Sequence, residues 1–173
     1  MSMGAGTRKL VLTVHVISSL GWLGSICAFI ALAIAGLTSS EEELVRGAYL
    51  VAEPITWYVI VPMALVSLAS GVIQSLGSSW GLLQHYWVVM KLIITIFAAF
   101  VLLLYTQTVG HFADLASNPA TGVEQLRTMS FVLHSGLALL LLLGATVLGV
   151  YKPRGRTRYG WRKQQARRAG AAA

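Results

Sequence analysis

Charged residues are scarce in this sequence, and acidic residues are the scarcer of the two signs. Only 11% of the 173 residues are charged, and six are Asp or Glu, whereas a soluble domain carries about 25% charged residues. Hydrophobic residues make up 56% of the chain, and the mean hydropathy is +0.72. A soluble core of this size cannot enclose so much apolar surface, so we expect lipid to surround much of the chain.

Other absences narrow the function. The single cysteine, Cys27, excludes an intrachain disulfide, and its place in an apolar run predicts a small buried side chain. A phosphate-binding glycine loop, a paired-cysteine metal site, a metalloprotease helix and a serine elbow are all missing. The net charge of +7 is not accompanied by an aromatic-rich recognition fold, so we expect no nucleic-acid partner.

Four apolar stretches predict four membrane-spanning helices, at about residues 10–37, 55–76, 86–105 and 129–151. Each is near or above the roughly 20 residues that a helix needs to cross the hydrocarbon. None alternates with period two, which disfavours a barrel. The predicted fold class is therefore all-α, a four-helix transmembrane bundle formed by residues 1–153. We expect the first span to be retained, because it exceeds the roughly 7–15 apolar residues of a signal peptide.

The basic residues predict the orientation of the bundle. Eight of the thirteen Lys and Arg residues lie between Lys152 and Arg168, and Arg8 and Lys9 precede the first span. All six acidic residues lie between spans one and two or between spans three and four. The positive-inside rule then places both termini in the cytoplasm, with the protein in the plasma membrane. The basic tail, residues 154–173, is expected to be disordered and to contact anionic lipid headgroups.

All four histidines lie in or beside the predicted spans. Ionisable groups within a membrane are costly, and imidazole is a ligand for haem iron and copper. His15 and His134 lie about five residues inside spans one and four, so both are candidate haem and metal ligands. His85, at the inner end of span three, is a further candidate, and His111 lies just past the outer end of that span. The alternative for each is an interfacial side chain bonded to a neighbour or to water.

Lys91 is the only cation inside a predicted span. At 1.5 Å per residue, Lys91 and His15 both lie about 7 Å inside the inner boundary. Lys91 either extends its ammonium to the headgroups or faces inward and holds an anionic group such as a porphyrin propionate. Trp22 shares a helical stripe with His15 and Ser19, and it would either pack against a flat macrocycle or belong to the ordinary core.

Two spans also carry faces of small or polar residues. These are Ser18, Gly21 and Ser25 in span one, and Ser67, Ser70, Gly71 and Gln74 in span two. Close helix packing is the main interpretation, and a lined cavity is the alternative. Pro62 in span two predicts a kink rather than a break.

The segment from Leu12 to Gly24, in which Trp22 follows His15, resembles the first span of small four-span bacterial membrane proteins, often actinobacterial, of unassigned function. The same pattern is similar to HemJ-type protoporphyrinogen oxidases and to the membrane part of CopD-type copper proteins. The segment Tyr86–Leu92, in which a lysine follows an aromatic residue, resembles the third-span motif of HemJ, and Val150–Pro153 resembles its span-four exit.

The HemJ resemblance implies that His15 binds haem or a porphyrin and that Lys91 is an essential, catalytic polar residue. The chain departs from HemJ in two places. It has Ala28–Leu32 where HemJ carries an arginine-bearing motif, and Leu133–Gly136 where HemJ has an Asn-Glu pair. A shared scaffold does not by itself carry over the oxidase reaction.

Three functional hypotheses follow. The first is a membrane oxidoreductase that binds b-type haem through His15, with His85 or His134 as second ligand, and acts on a porphyrin or quinone. The second is a non-enzymatic accessory or transport-related subunit without a cofactor. The third is copper handling through histidines and methionines such as Met63 and Met90. The sequence leaves open whether the protein forms a homo-oligomer.

Overall fold

The computed structural model describes residues 3–78 and 81–172. Its helices are α1 (Ala5–Thr38), α2 (Glu42–Ile55), α3 (Val61–Gly77), α4 (Tyr86–Ser117), α5 (Val123–Leu126), α6 (Ser130–Tyr151) and α7 (Arg158–Ala172). A π-helical segment, Thr56–Ile60, joins α2 to α3. No β-strand occurs among the described residues, so the all-α prediction is confirmed.

Four helical stretches are long and apolar enough to cross a membrane. They are Ala5–Thr38, Glu42–Gly77, Tyr86–Ser117 and Val123–Tyr151, and each contains one predicted span. The second begins 13 residues before its predicted start at 55, and the third ends 12 residues after its predicted end at 105. The number and order of the long apolar helices are confirmed, and two of these helices extend well beyond the stretches predicted to cross the membrane.

The early start of the second stretch has a physical cause. α2 buries Val45, Ala48, Tyr49 and Ala52 on one face, at the spacing of an amphipathic helix. The charged residues between them lower the local hydropathy, so hydropathy alone does not reveal this part of the helix. Its first turn carries Glu42 and Glu43, which interact favourably with the positive end of the helix dipole.

The four stretches form a bundle in which α1 and α4 lie diagonally opposite one another. α1 packs against α2, α3 and α6, and α4 packs against the same three helices. Only one stripe of each long helix is enclosed, since 17–33% of their apolar windows is buried. Cys27 lies on the exposed surface, so the prediction that it is buried is wrong.

Two arginines join the helix ends on the side of the α1–α2 loop. Arg127 donates hydrogen bonds to the carbonyl oxygens of Leu37 (2.6 Å) and Ser39 (2.7 Å) at the end of α1. Arg46 donates to three carbonyls at or after the end of α4, those of Ala116, Asn118 and Thr121. The last carbonyls of a helix lack partners within that helix, so the arginines supply donors to Leu37 at the end of α1 and to Ala116 at the end of α4.

The second stretch stays helical through two prolines. Pro54 lies inside α2 and Pro62 in the first turn of α3, with the π-helical segment between them. Proline removes an N–H donor and its ring clashes with the carbonyl four residues earlier, which a wider turn relieves. The prediction that the helix is not broken at Pro62 is confirmed.

The small-residue faces of α1 and α3 meet. Ser18 and Ser25 are buried, and a Cβ on Gly21 would lie 3.0 Å from the sulfur of Met63. The hydroxyls of Ser19 and Ser67 lie 2.7 Å apart. Packing through small residues is therefore confirmed for this pair of helices.

The basic tail contains helix α7 where the sequence predicts disorder. Thr157 directly precedes α7. Its backbone N–H donates to the carbonyl of Gln84 (3.1 Å), and its hydroxyl donates to the carbonyl of Leu83 (2.5 Å). The Thr157 Oγ1 also accepts a hydrogen bond from the N–H of Gly160 (3.1 Å). Gly160 is buried, and a Cβ there would collide with the carbonyl oxygen of Gln84. A capping hydroxyl and a glycine thus dock the start of α7 on the segment before α4.

Candidate functional site

A histidine and a lysine meet across the diagonal of the bundle. His15 lies on α1 and Lys91 on α4, and the Lys91 Nζ lies 3.4 Å from the His15 Nε2. Both side chains are partly buried. The prediction that they lie at one level is confirmed, and Lys91 reaches the interior rather than only the rim.

The second ring nitrogen of His15 is held by α3. The Nδ1 lies 3.0 Å from the carbonyl oxygen of Ser67 and 3.2 Å from the hydroxyl of Ser70. A carbonyl oxygen only accepts, so the Nδ1 carries the hydrogen, and in the neutral ring the Nε2 then accepts from the ammonium of Lys91. The Ser70 hydroxyl donates to the carbonyl of Val66 (2.6 Å). His15 is therefore fixed in one tautomer, with its Nε2 facing Lys91.

Two glycines leave room for this contact. A Cβ on Gly71 of α3 would lie 3.0 Å from the His15 Cε1, and a Cβ on Gly149 of α6 would lie 3.3 Å from the Lys91 Nζ. Larger residues at these positions would press on the pair from both flanking helices. All four long helices thus contribute to one centre, which we call the His15–Lys91 centre.

The charge of Lys91 has no carboxylate partner in the part of the chain that the structure describes. The ion pairs there are Arg46 with Glu42 and Arg127 with Glu124, and both lie at the opposite end of the bundle. A partly buried ammonium without a counterion is costly in an apolar setting. The centre is consequently suited to an anionic group.

Trp22 does not join His15 at this centre. It is 2% exposed and lines a cavity of about 60 Å³ further along the bundle, together with Tyr105 and His134. Lys91 and Tyr105 lie 14 positions apart on α4, which is about 21 Å along the helix. The structure therefore does not bring Trp22 and His15 to one ligand, although they share a stripe of α1.

His134 belongs to a different group of side chains. Its ring stacks on that of Tyr105 with centroids 4.2 Å apart, and its Nδ1 lies 2.9 Å from the carbonyl oxygen of Ser130. The Tyr105 hydroxyl lies 2.9 Å from that of Ser130. Because Tyr105 is about 21 Å along α4 from Lys91, His134 and His15 cannot share one metal ion.

The other two histidines lie apart from these groups. His85 precedes α4 and forms a backbone bridge with Arg156 of the tail. It lies six positions before Lys91, about 9 Å along the helix. His111, predicted to follow its span, lies within α4, where it is exposed and contacts Phe112 edge-on at 5.7 Å.

No three His, Cys, Asp or Glu side chains cluster to hold a metal among residues 3–78 and 81–172. Of the methionines considered for copper, Met63 packs beside Gly21 and Met90 is exposed on α4. These two positions supply no shared ligand set with a histidine, so copper handling stays a prediction.

The contacts that orient His15 and His134 could not be predicted from the sequence. Ser67 and Ser70 were expected to pack, but nothing in the sequence identified their bond to His15. Tyr105 and His134 lie on different predicted spans, and only the adjacency of α4 and α6 brings them together. Searches of protein-family models, curated proteins and solved structures gave no match to this chain.

Proposed function

We propose that this is a four-span protein of the plasma membrane with both termini in the cytoplasm. The four apolar helices support it, as does the charge distribution, because basic residues flank the first and last spans while acidic residues lie at the opposite end. The test is a reporter fusion at each terminus. Green fluorescent protein is expected to fluoresce at both termini, and alkaline phosphatase is expected to be inactive at both. An active phosphatase at either end would overturn this orientation.

Within that bundle, we propose that the His15–Lys91 centre binds a carboxylate-bearing macrocycle of the porphyrin class, with b-type haem as the leading ligand. The observation that carries the proposal is the 3.4 Å contact between Lys91 and His15, which puts an unneutralised cation beside a potential iron ligand. Lys91 would hold a propionate, and its departure from His15 would leave the Nε2 free to ligate.

The donor set of His15 fits a haem iron. Metal-binding histidines usually donate their other ring N–H to a carbonyl or carboxylate, which fixes the tautomer and makes the ligating nitrogen more basic. His15 has this arrangement, because its Nδ1 donates to the carbonyl of Ser67. A bound haem would supply one-electron chemistry.

A haem held by both His15 and His134 does not fit, because His134 lies about 21 Å along the bundle axis from the centre. His15 is therefore proposed as the iron ligand. His85, which precedes Lys91 by six positions, stays a candidate for a second ligand. Redox chemistry on a lipophilic substrate stays part of the proposal, with Lys91 as the polar residue at the site.

Two titrations of the detergent-purified protein test the ligand. Haem should give a Soret band, and His15→Ala should abolish that band. Lys91→Gln should raise the haem concentration needed for half-saturation by about tenfold, because a charged hydrogen bond is lost. The binding of iron-free protoporphyrin, measured by its fluorescence, should depend on Lys91 but not on His15. His111→Ala, at an exposed site, serves as the matched control and should leave both titrations unchanged.

The competing function is a packing role without a cofactor. It is favoured by the partners that His15 already has on both ring nitrogens, Ser67 and Lys91. Absence of both haem and protoporphyrin binding by folded protein would reject the porphyrin proposal in favour of this one. A Soret band undiminished in His15→Ala would reject His15 as the ligand.

A further inference from the structure

A cavity lies in the half of the bundle away from the His15–Lys91 centre. It has a volume of about 60 Å³ and is lined by residues of α1, the π-helical segment, α4 and α6. Its walls are mainly apolar. The polar or aromatic side chains in its lining include Trp22, Thr56, Tyr105, Thr106, His134 and Ser135.

The indole of Trp22 is the unsatisfied group at this cavity. Trp22 is 2% exposed, and its Nε1 has no hydrogen-bond partner within the described residues. An indole N–H only donates, and leaving a buried donor unpaired is unfavourable. It requires an acceptor that the surrounding side chains do not supply.

The nearby hydroxyls are engaged in their own helices. Thr56 donates to the carbonyl of Ala52 (2.7 Å), and Thr106 donates to that of Leu103 (2.7 Å). Ser135 donates to the carbonyl of Phe131 in the same way (2.5 Å). These bonds hold each hydroxyl against its own backbone, and none of the three oxygens accepts a hydrogen bond from the Trp22 Nε1.

The lining of the cavity reaches the apolar outer surface of α4 and α6. Its lining includes Phe97 and Leu137, which are 51% and 52% exposed on that surface. The stacked rings of Tyr105 and His134 add a flat aromatic wall. An occupant that arrives from this side is lipid-soluble and uncharged, and a planar ring suits the aromatic wall.

We propose that this cavity binds a lipid-soluble cyclic ketone of the quinone class, whose carbonyl oxygen accepts the hydrogen bond from Trp22. The enclosed volume is smaller than the roughly 150 Å³ that holds a benzene ring. The carbonyl edge therefore enters the cavity, while the rest of the ring lies between α4 and α6. This site does not depend on a porphyrin at the His15–Lys91 centre.

The experiment uses full-length protein in nanodiscs with ¹⁵N-labelled indoles. The chain has five tryptophans, and the Trp22 signal is the one that Trp22→Phe removes. Menadione, a small naphthoquinone, is expected to move that signal downfield in a saturable way. The control compound is 2-methylnaphthalene, which has the same ring system without carbonyl groups and should not produce the downfield shift.

Variants give a second readout by equilibrium dialysis of menadione. Trp22→Phe should weaken binding by about twofold to tenfold, as expected for one neutral hydrogen bond. Trp57→Phe, on the exposed surface of the π-helical segment, and His15→Ala should bind like the wild type. Retained menadione binding in His15→Ala separates this site from the porphyrin proposal.

Two results would overturn the proposal. One is an unmoved Trp22 signal at saturating menadione, which would leave water as the occupant. The other is an equal shift with 2-methylnaphthalene, which would indicate an apolar cavity without carbonyl recognition. If Trp22→Phe does not fold, the Trp22 signal is identified by replacing the other four tryptophans in turn. The shifts that menadione and 2-methylnaphthalene cause in the wild-type Trp22 signal then test the proposal.

Discussion

Gly71 and His15 are in direct contact across the α1–α3 interface, where a Cβ on Gly71 would lie 3.0 Å from the His15 Cε1. The imidazole occupies the space that a side chain would otherwise fill, while its Nδ1 is bonded to Ser67 one turn away. The position of the His15 ring therefore depends on the absence of a side chain at residue 71.

Gly71→Ala is expected to displace the imidazole and destabilise the protein by about 1 kcal/mol, since added volume in a packed interface causes strain. Gly24→Ala is the matched control, because it lies within α1 and a Cβ there meets nothing within 4 Å. That control should be neutral or stabilising by up to about 1 kcal/mol. Reversible unfolding in mixed detergent micelles measures both. Equal stability of the two variants would contradict a tight contact.

Lys91→Met is expected to retain the fold and raise the free energy of unfolding by on the order of 1 kcal/mol, because an apolar chain replaces a cation that is costly in lipid. The same variant should lose affinity for carboxylate ligands. Improved stability together with lost binding is the pattern of a residue kept for function. A large loss of stability would instead identify Lys91 as a structural residue, and the unfolding measurement decides between them.

Arg127→Gln should lower the free energy of unfolding by about 2 kcal/mol, because it removes charged hydrogen bonds to the carbonyls of Leu37 and Ser39. Arg154→Gln, an exposed change in the tail, should fall within about 0.5 kcal/mol of the wild type. Thermal unfolding of the two variants side by side provides the measurement. Indistinguishable midpoints would show that the α1 end is held by other contacts.

Gly160→Ala should release α7 from the segment before α4, because the added methyl group meets the carbonyl of Gln84. Trypsin should then cut after Arg158 or Arg162 several times faster, as expected when a docked helix opens locally. Gly170→Ala lies near the end of the same helix, where a Cβ meets nothing within 4 Å, and it should leave the cleavage rate unchanged. An unaltered rate in Gly160→Ala would argue against docking.

The four long apolar helices could be predicted from hydropathy alone, and residue counting put His15 and Lys91 at one level. The helical character of α2 was hidden by Glu42, Glu43 and Arg46, whose charges mask a clear apolar face. The Ala- and Gly-rich end of the tail favours disorder, but the hydrogen bonds of Thr157 fix the start of α7.

The candidate site was only partly predictable for a geometric reason. Hydropathy gives the depth of a residue in a span, but it gives neither the rotation of the span nor its neighbours. His15 and His134 were joined in one ligand set on residue type, although they lie in opposite halves of the bundle. Trp22 shares a stripe with His15, yet seven positions separate them, about 10 Å along α1.

The π-helical segment Thr56–Ile60 sets the rotation of α3 about its own axis relative to α2. One surplus residue in a turn rotates the downstream helix by about 100° relative to an unbroken α-helix. Ser67, Ser70 and Gly71 follow the segment, and this offset contributes to the rotation at which they meet α1. Deleting a single residue from the segment would turn the partners of His15 away from it by about 100°. The chemistry of one half of the molecule is thus set by a backbone irregularity in the other.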